Sequence, residues 1–305
     1  MVNQDHFPDA VLAVQRMQDY IETHLQRLIT LKDLANVAGY SPFHASRVFR
    51  EHTGRTPFDY IRALRLSKAA LCLRDGDQPV IAVALDFVFA SHEGFTQAFS
   101  RQFGVPPREY RLQSPPIRLF MPYKVIQSHL TNHQGEYRME NIPKTQTIFV
   151  QVIERPARKL VLRRATRAED YYAFCDEVGC DDWPILCSIK EALYEPVGLW
   201  LPDHLIKPGT SKYVQGVEVP LDYDKPLPAG FDMITLPPCK MMVFQGEPYD
   251  DEQFEQAISS IWDQIKRFDP TLYGYRWAPQ AAPRFQLEPR GYRGYIEALP
   301  VEAVG

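Results

Sequence analysis

Residues 49–60, FREHTGRTPFDY, recur fifty positions later as residues 99–110, FSRQFGVPPREY. Both obey F-x4-G-x2-P-x-[DE]-Y, so that Phe49, Gly54, Pro57 and Tyr60 are matched by Phe99, Gly104, Pro107 and Tyr110. Each copy follows a serine, Ser41 or Ser91, whose hydroxyl is suited to cap a helix. A helix-stop-helix pattern written twice implies two equivalent helical units.

Toward the N-terminus, Leu12, Val14, Met17, Ile21, Leu25 and Leu28 fall at helical spacing and predict an amphipathic first helix from Asp9. Thr30 and Asp33 resemble a capping box with a shortened acid, followed by a narrow apolar face of Leu31, Leu34, Ala35 and Ala38. Gly39 is suited to the left-handed conformation that ends this helix, and Ser41 with Pro42 starts the next. Two short helices about a tight glycine turn, the second with a basic outer side, make a helix-turn-helix. Val48 and Phe49 are expected inside, and Phe43, His44, Ser46, Arg47 and Arg50 outside. After Gly54, Thr56 and Pro57 open a long helix to about Arg74 with an apolar set of Phe58, Ile61, Leu64, Ala69 and Leu71. The second unit repeats the order: Ile81, Ala82, Ala84 and Leu85, a turn at Val88 to Ala90, a helix from Ser91 to Phe103, and a short helix from Pro107. At the fifty-residue offset Gly39 aligns with Phe89 and Arg47 with Gln97.

Charge follows this division. The chain has a formal net charge of -4, yet residues 44–68 hold Arg47, Arg50, Arg55, Arg62, Arg65 and Lys68 against only Glu51 and Asp59. A local basic stripe of this kind suits a nucleic-acid face, with an ordinary solvated helix face as the alternative. At 305 residues the chain is long enough for two domains. Without an 18-residue apolar run, or a basic and apolar leader in MVNQDHFPDA, a cytoplasmic protein without a membrane span is expected. The five cysteines are scattered without C-x2-C pairs, so reduced thiols are expected. His129 and His133 are four apart, but no carboxylate or cysteine is placed to complete a metal site. No metal, cofactor or catalytic residue set is expected.

On the features LKDLANVAGYSPFHASRVFREHTGRTPFDYI, RALRLSKAALCL and FASHEGFTQAFSRQFGVPPREYR, residues 8–112 resemble the DNA-binding domain of the AraC/XylS family of bacterial transcription regulators. The resemblance implies that one chain sets two recognition helices in successive major grooves of promoter DNA. A connecting helix of about 18 residues spans about 27 Å, against about 34 Å between successive major grooves, so offsets or bending of the DNA make up the rest. By position, it assigns base contacts to Phe43, Ser46 and Arg47 in the first unit and to His92, Glu93 and Gln97 in the second, with Arg50 also on the outward side. Arg47 suits guanine, Gln97 adenine and Glu93 the cytosine amino group. The family usually has glycine where this chain has Val88, which implies a reshaped or strained second turn.

Residues 113–145, rich in proline, aromatic and polar residues, read as a linker. Beyond it apolar alternation replaces helical spacing. IFVQVIERPARKLVLRRA and DMITLPPCKMMVFQGEP each read as a hairpin-like pair of strands about a proline turn, followed by helices near Trp183 to Tyr194 and at Asp251 to Phe268. Further strands are expected at Pro196 to Leu201, Tyr213 to Val219 and Gly294 to Val301. The half therefore reads as an α+β domain, residues 146–305, built from a duplicated β-β-α-β unit, beside an all-α double helix-turn-helix domain. CKMMVFQGEP and RGYIEALPV make it resemble the GyrI-like effector-binding domain. That resemblance implies a small, cationic or aromatic effector in a central groove, against a glutamate. Trp200, Tyr213, Tyr275, Trp277, Glu288 and Tyr292 are the candidate ligand residues, with Glu297 the alternative to Glu288 as the inward acid. The implied function is a ligand-responsive regulator, with activation as the expected output and with promoter DNA, the effector and RNA polymerase as partners. The alternatives are a GyrI-like hydrolase and a ligand-sequestering protein.

Overall fold

The computed structural model describes residues 8–122, 124–126, 147–250 and 253–304. The chain divides into two compact units, Met1–Glu140 and Asn141–Gly305. His129 and His133 lie outside the described residues.

The first unit is helical: α1 (Asp9–Thr23), α2 (Leu31–Ala38), α3 (Pro42–Thr53), α4 (Pro57–Asp75), α5 (Val80–Asp86), α6 (His92–Phe103) and α7 (Pro107–Gln113). The starts and stops follow local chemistry. Thr30 and Asp33 form a full capping box on α2, and the hydroxyls of Ser41, Thr56 and Ser91 each accept from a backbone N–H in the first turn of α3, α4 and α6. Gly54 and Gly104, at φ 71° and 73°, end α3 and α6.

Several expected core positions are corrected. α1 stops at Thr23, so Leu28 lies beyond it and is 77% exposed, whereas Leu25 is buried. On α4, Phe58 is 51% exposed and Tyr60 is buried instead. α4 packs against α3, α5, α6 and α7, so it buries residues around its circumference, among them Tyr60, Ile61, Ala63, Leu64, Leu66, Ala70 and Leu73. An all-round contact of this kind leaves no single apolar stripe to read. Helix α5 forms over the expected Ile81, Ala82, Ala84 and Leu85, with Val83 and Ala84 inside and Ile81 and Leu85 exposed.

The segment after α7, expected to be linker, begins as part of this unit. Ile117, Leu119 and Val125 are buried, the Phe120 amide donates to Ser67 Oγ at 2.7 Å, and the Val125 amide donates to Gln18 Oε1 at 2.9 Å.

The second unit is one antiparallel sheet flanked by helices. Its elements are β1 (Phe149–Arg155), β2 (Arg158–Arg164), α8 (Tyr171–Val178), α9 (Trp183–Ser188), β3 (Val197–Trp200), β4 (Tyr213–Val219), β5 (Phe231–Leu236), β6 (Cys239–Gln245), α10 (Phe254–Arg267), β7 (Tyr275–Trp277), β8 (Arg284–Leu287) and β9 (Ile296–Ala303). The strand order is β1-β6-β9-β8-β3-β4-β2-β5, with β7 also paired to β9. The two expected hairpins do not form: β1 pairs with β6 and β2 with β5, so each strand exchanges its sequence neighbour for one far along the chain. Pro156 and Pro237 redirect the chain rather than reverse it. Arg158 fills the corner between them, donating to both of their carbonyl oxygens.

Period-2 alternation sorts the side chains to two faces. Leu160, Leu162, Val197, Leu199, Val214, Met241, Val243, Phe285 and Ala298 cluster on one face. Helix α10 covers Met242 and Phe244 on the other, while Leu186 and Ile189 pack on Val161 and Val217, and Phe174 on Tyr213. Cys175 is disulfide-bonded, which corrects the expectation of reduced thiols at that position. No helix among the described residues is long and apolar enough to cross a membrane.

Candidate nucleic-acid interface and sheet groove

Helices α3 and α6 have the same length and the same inward pattern. Ala45, Val48 and Phe49 are buried on α3; Phe95, Ala98 and Phe99, each fifty positions on, are buried on α6. The other faces point to solvent. On α3 this face carries Phe43, 82% exposed, with half-buried Ser46 and exposed Arg47 and Arg50. Spacings of three, four and seven residues align these four on one stripe. Arg47 lies 3.7 Å from Glu51 one turn on and 3.3 Å from His44 Nδ1. Both partners of the Arg47–Glu51 pair are 58% exposed, and an exposed i,i+4 pair contributes only about 0.3–0.5 kcal/mol, so the guanidinium is readily redirected. On α6 the exposed side chains include His92, Glu93, Gln97 and Arg101.

A groove of about 530 Å³ runs beside these helices, lined by Arg50, Arg55, Thr56, Asp59, Arg62 and, from the end of α6, Gln102. Arg55 and Arg62 were legible only as members of the basic run, not as groove residues. Arg65, from the same run, is committed elsewhere: it donates to the carbonyl oxygens of Leu25 and Arg27 after α1.

The turns differ. In the first unit the amides of Gly39 and Tyr40 donate to the carbonyls of Asn36 and Ala35; in the second, those of Val88 and Phe89 donate to Leu85 and Ala84. The hydrogen-bond pattern is the same Schellman arrangement, so Gly39 corresponds to Val88, not to Phe89. Ala90 is then one extra residue before the Ser91 cap. Val88 holds φ 61°.

In the sheet unit, cross-strand pairing sets a polar band on the helix-bearing face. Glu297 pairs with Gln286 and Phe244, Gln286 with Gly198, Gly198 with Gln215, Trp200 with Tyr213, and Arg284 with Trp200. Tyr213 and Glu297 are fully buried and Gln215 is 1% exposed. The Tyr295 hydroxyl donates toward Glu297 Oε2 at 2.8 Å, Glu297 Oε1 has no hydrogen-bond partner among the described residues, and the Tyr213 hydroxyl faces the Gln215 side chain. Burial pushes the Glu297 carboxyl up to about 7 against the opposing pull of Arg284 and Tyr295.

The other expected ligand residues lie elsewhere. Glu288 is in a surface ion pair with Arg290 at 2.6 Å, and Tyr292 is 73% exposed. Tyr275 and Trp277 pack with Phe244 and Phe268 in the α10 core. Of the expected set, Trp200 and Tyr213 are brought together, 4.9 Å between ring centroids. Arg284, Gln286 and Gln215, which share the polar band with them, were not singled out in the sequence because alternation marks a face without saying which end of it is closed by a helix. No cluster of three or more His, Cys, Asp or Glu suited to a metal occurs among the described residues.

Two helix-turn-helix units in succession, each presenting the solvent side of its second helix, define a double helix-turn-helix protein with an attached antiparallel sheet domain. Residues 34–113 match the helix-turn-helix domain family. The chain is 41% identical over 108 residues to transcriptional regulator Rob of Salmonella typhimurium, covering 33% of this chain and 37% of Rob. It is 30% identical over 101 residues to multiple antibiotic resistance protein MarA of the same organism, covering 33% of this chain and 80% of MarA. A solved structure of a probable AraC family transcriptional regulator from Rhodopseudomonas palustris is 31% identical over 33% of this chain and 95% of its own, with a TM-score of 0.31. The chain belongs to the AraC/XylS family of helix-turn-helix transcription regulators. It spans a little over a third of the length of Rob.

Proposed function

We propose that the protein is a one-component regulator: α3 and α6 bind promoter DNA, and a small cationic or aromatic effector in the sheet groove alters that binding or the contact with RNA polymerase. The observation that carries the DNA-binding half is the repeated inward triplet, Ala45-Val48-Phe49 and Phe95-Ala98-Phe99, which leaves Phe43, Ser46, Arg47 and Arg50 on one helix, and His92, Glu93 and Gln97 on the other, available to base edges. Arg55 and Arg62 are placed to meet phosphates, which position a protein without reading sequence.

The GyrI-like reading of the sheet unit is supported by its strand order. Matching β1, β2, β3 and β4 with β5, β6, β8 and β9 turns the order β1-β6-β9-β8-β3-β4-β2-β5 into its own reverse. A two-fold relation of this kind, with β3 and β8 at its centre, is what a duplicated unit produces, as β-β-α-β-β rather than the shorter repeat. The polar band beside that centre, with its buried Glu297, is the proposed effector site. Glu297 and Tyr295 also favour a second reading, hydrolysis of an electrophile with Glu297 as acid-base group; turnover lost in Glu297→Gln would support it, and binding without turnover would support the regulator.

Selection of duplex DNA from a random pool by the full chain tests the main reading. It should return two short sites about one helical turn apart, on one face of the duplex; an unenriched pool would refute it.

A further inference from the structure

This inference rests on the effector-site reading and concerns the side chain that occupies the proposed site. Trp200 and Arg284 are direct partners across the β3–β8 pair. The Arg284 guanidinium carbon lies 3.6 Å from the Trp200 ring centroid and 4.6 Å from that of Trp262 on α10. Trp200 is held by its indole N–H, which donates to the Glu169 carbonyl at 2.8 Å. Arg284 Nε is 3.5 Å from Glu297 Oε1. A cation between two indole rings and over a buried carboxylate has the surroundings that aromatic cages give to cationic ligands. Here the chain's own guanidinium fills them.

The fit of Arg284 is loose. Arg155 donates to Glu218 Oε2 at 2.7 Å, in the range of charge-assisted hydrogen bonds, but Arg284 Nε stands 3.5 Å from Glu297. Its side chain is 26% exposed, so it has a path to water, where its full solvation is regained. Beside it lie two further buried polar side chains that face each other, Tyr213, whose Oη lies 2.6 Å from where a Cβ on Gly198 would stand, and Gln215. They are donors and acceptors for a larger occupant than an arginine side chain.

We propose that Arg284 is a built-in competitor for the effector site. A flat organic monocation binds by displacing the guanidinium from between Trp200 and Trp262 and taking its place against Glu297. The charge balance of the pocket is kept through the exchange, and anions are disfavoured by Glu297. The expelled Arg284 then marks the liganded state on the sheet surface.

The test is calorimetric titration of the full chain with N-methylquinolinium, its neutral isostere 1-methylnaphthalene and the anion 2-naphthoate. Arg284→Met keeps the apolar stem and removes the cation. It should bind N-methylquinolinium at least tenfold tighter than the wild type, and adding Glu297→Gln should reverse that gain, with the neutral isostere little affected. Arg284→Lys, with wild-type-like unfolding, should bind the cation no tighter than the wild type. Equal or weaker cation binding by a folded Arg284→Met, beside measurable binding by the wild type, overturns the inference and leaves the effector site standing. Binding of 2-naphthoate that is lost in Arg284→Met makes Arg284 an anion receptor and also overturns it. Failure of every probe with both proteins counts against the inference and the effector-site reading together.

Discussion

Val88 takes the place of Gly39: both end the first helix of their unit in the left-handed region, at φ 61° and 72°, and the same two backbone hydrogen bonds close each turn. A residue with a Cβ is strained there by roughly 1–2 kcal/mol, and a β-branched one is an unusual occupant. Val88→Gly should therefore stabilise the helical unit by about 1 kcal/mol, the relief being partly offset by the greater unfolded-state freedom of glycine. Gly39→Val should destabilise it by roughly 1–2 kcal/mol. Thermal unfolding followed by far-ultraviolet circular dichroism checks both signs.

The buried triad Arg155–Glu218–Arg158 gives a second prediction. All three side chains are under one-tenth exposed, and Arg155 also stacks on Tyr194, 3.5 Å from the guanidinium carbon to the ring centroid. Removing the shared carboxylate leaves two buried cations without their counter-ion, so Glu218→Ala should cost about 3–5 kcal/mol. The four tryptophans are Trp183, Trp200, Trp262 and Trp277, so tryptophan fluorescence during urea unfolding follows the sheet unit alone. A loss under 1 kcal/mol would show the triad to be dispensable.

Glu297 sets a pH dependence. Its carboxyl is held at about 7, above the ordinary value of 4.5, chiefly by burial, so between those values the folded chain keeps a proton that the unfolded chain has released. Its contribution to stability is then fully present below about pH 4.5, falls as pH rises through that window, and is gone above pH 7. Glu297→Gln should be relatively more stable than the wild type at pH 8 than at pH 5. Parallel pH profiles of the urea midpoint, read by tryptophan fluorescence, would contradict this.

The helical unit was legible because its signals are local. Serine and threonine caps, glycine stops and the capping box at Thr30 and Asp33 act within one turn, so the element boundaries followed closely. Phe58 was misplaced because its exposure depends on how α4 meets other helices, which spacing alone does not encode. In the sheet unit the strands were visible from alternation, but the exchange of β1 and β5 between β2 and β6 is a long-range choice. The sequence leaves open which glutamate is inside. Register decides it, by putting Glu297 opposite Phe244 and Gln286 under the helix layer while Glu288 falls past the end of β8 into a pair with Arg290.

The two recognition helices should not be equal readers. Arg47 offers a guanidinium, for which a good bidentate base contact supplies about 1–3 kcal/mol, while Gln97 at the same position of α6 follows a turn built on Val88 and shares its exposed face with acidic Glu93. Arg47→Ala should cost more DNA affinity than Gln97→Ala, and equal losses would remove the asymmetry. A helical fragment ending at Gln113, which lacks the packed segment with Ile117, Leu119 and Val125, should be less stable than one ending at residue 126.

The most direct test of the central claim is a mobility-shift titration of the wild type and Arg47→Ala on duplex DNA from the region upstream of the protein's own coding sequence, at two salt concentrations. The wild type should bind with an affinity that falls steeply as salt rises, and Arg47→Ala should bind roughly tenfold more weakly. Wild-type binding that is insensitive to salt and unaltered by Arg47→Ala would contradict the account.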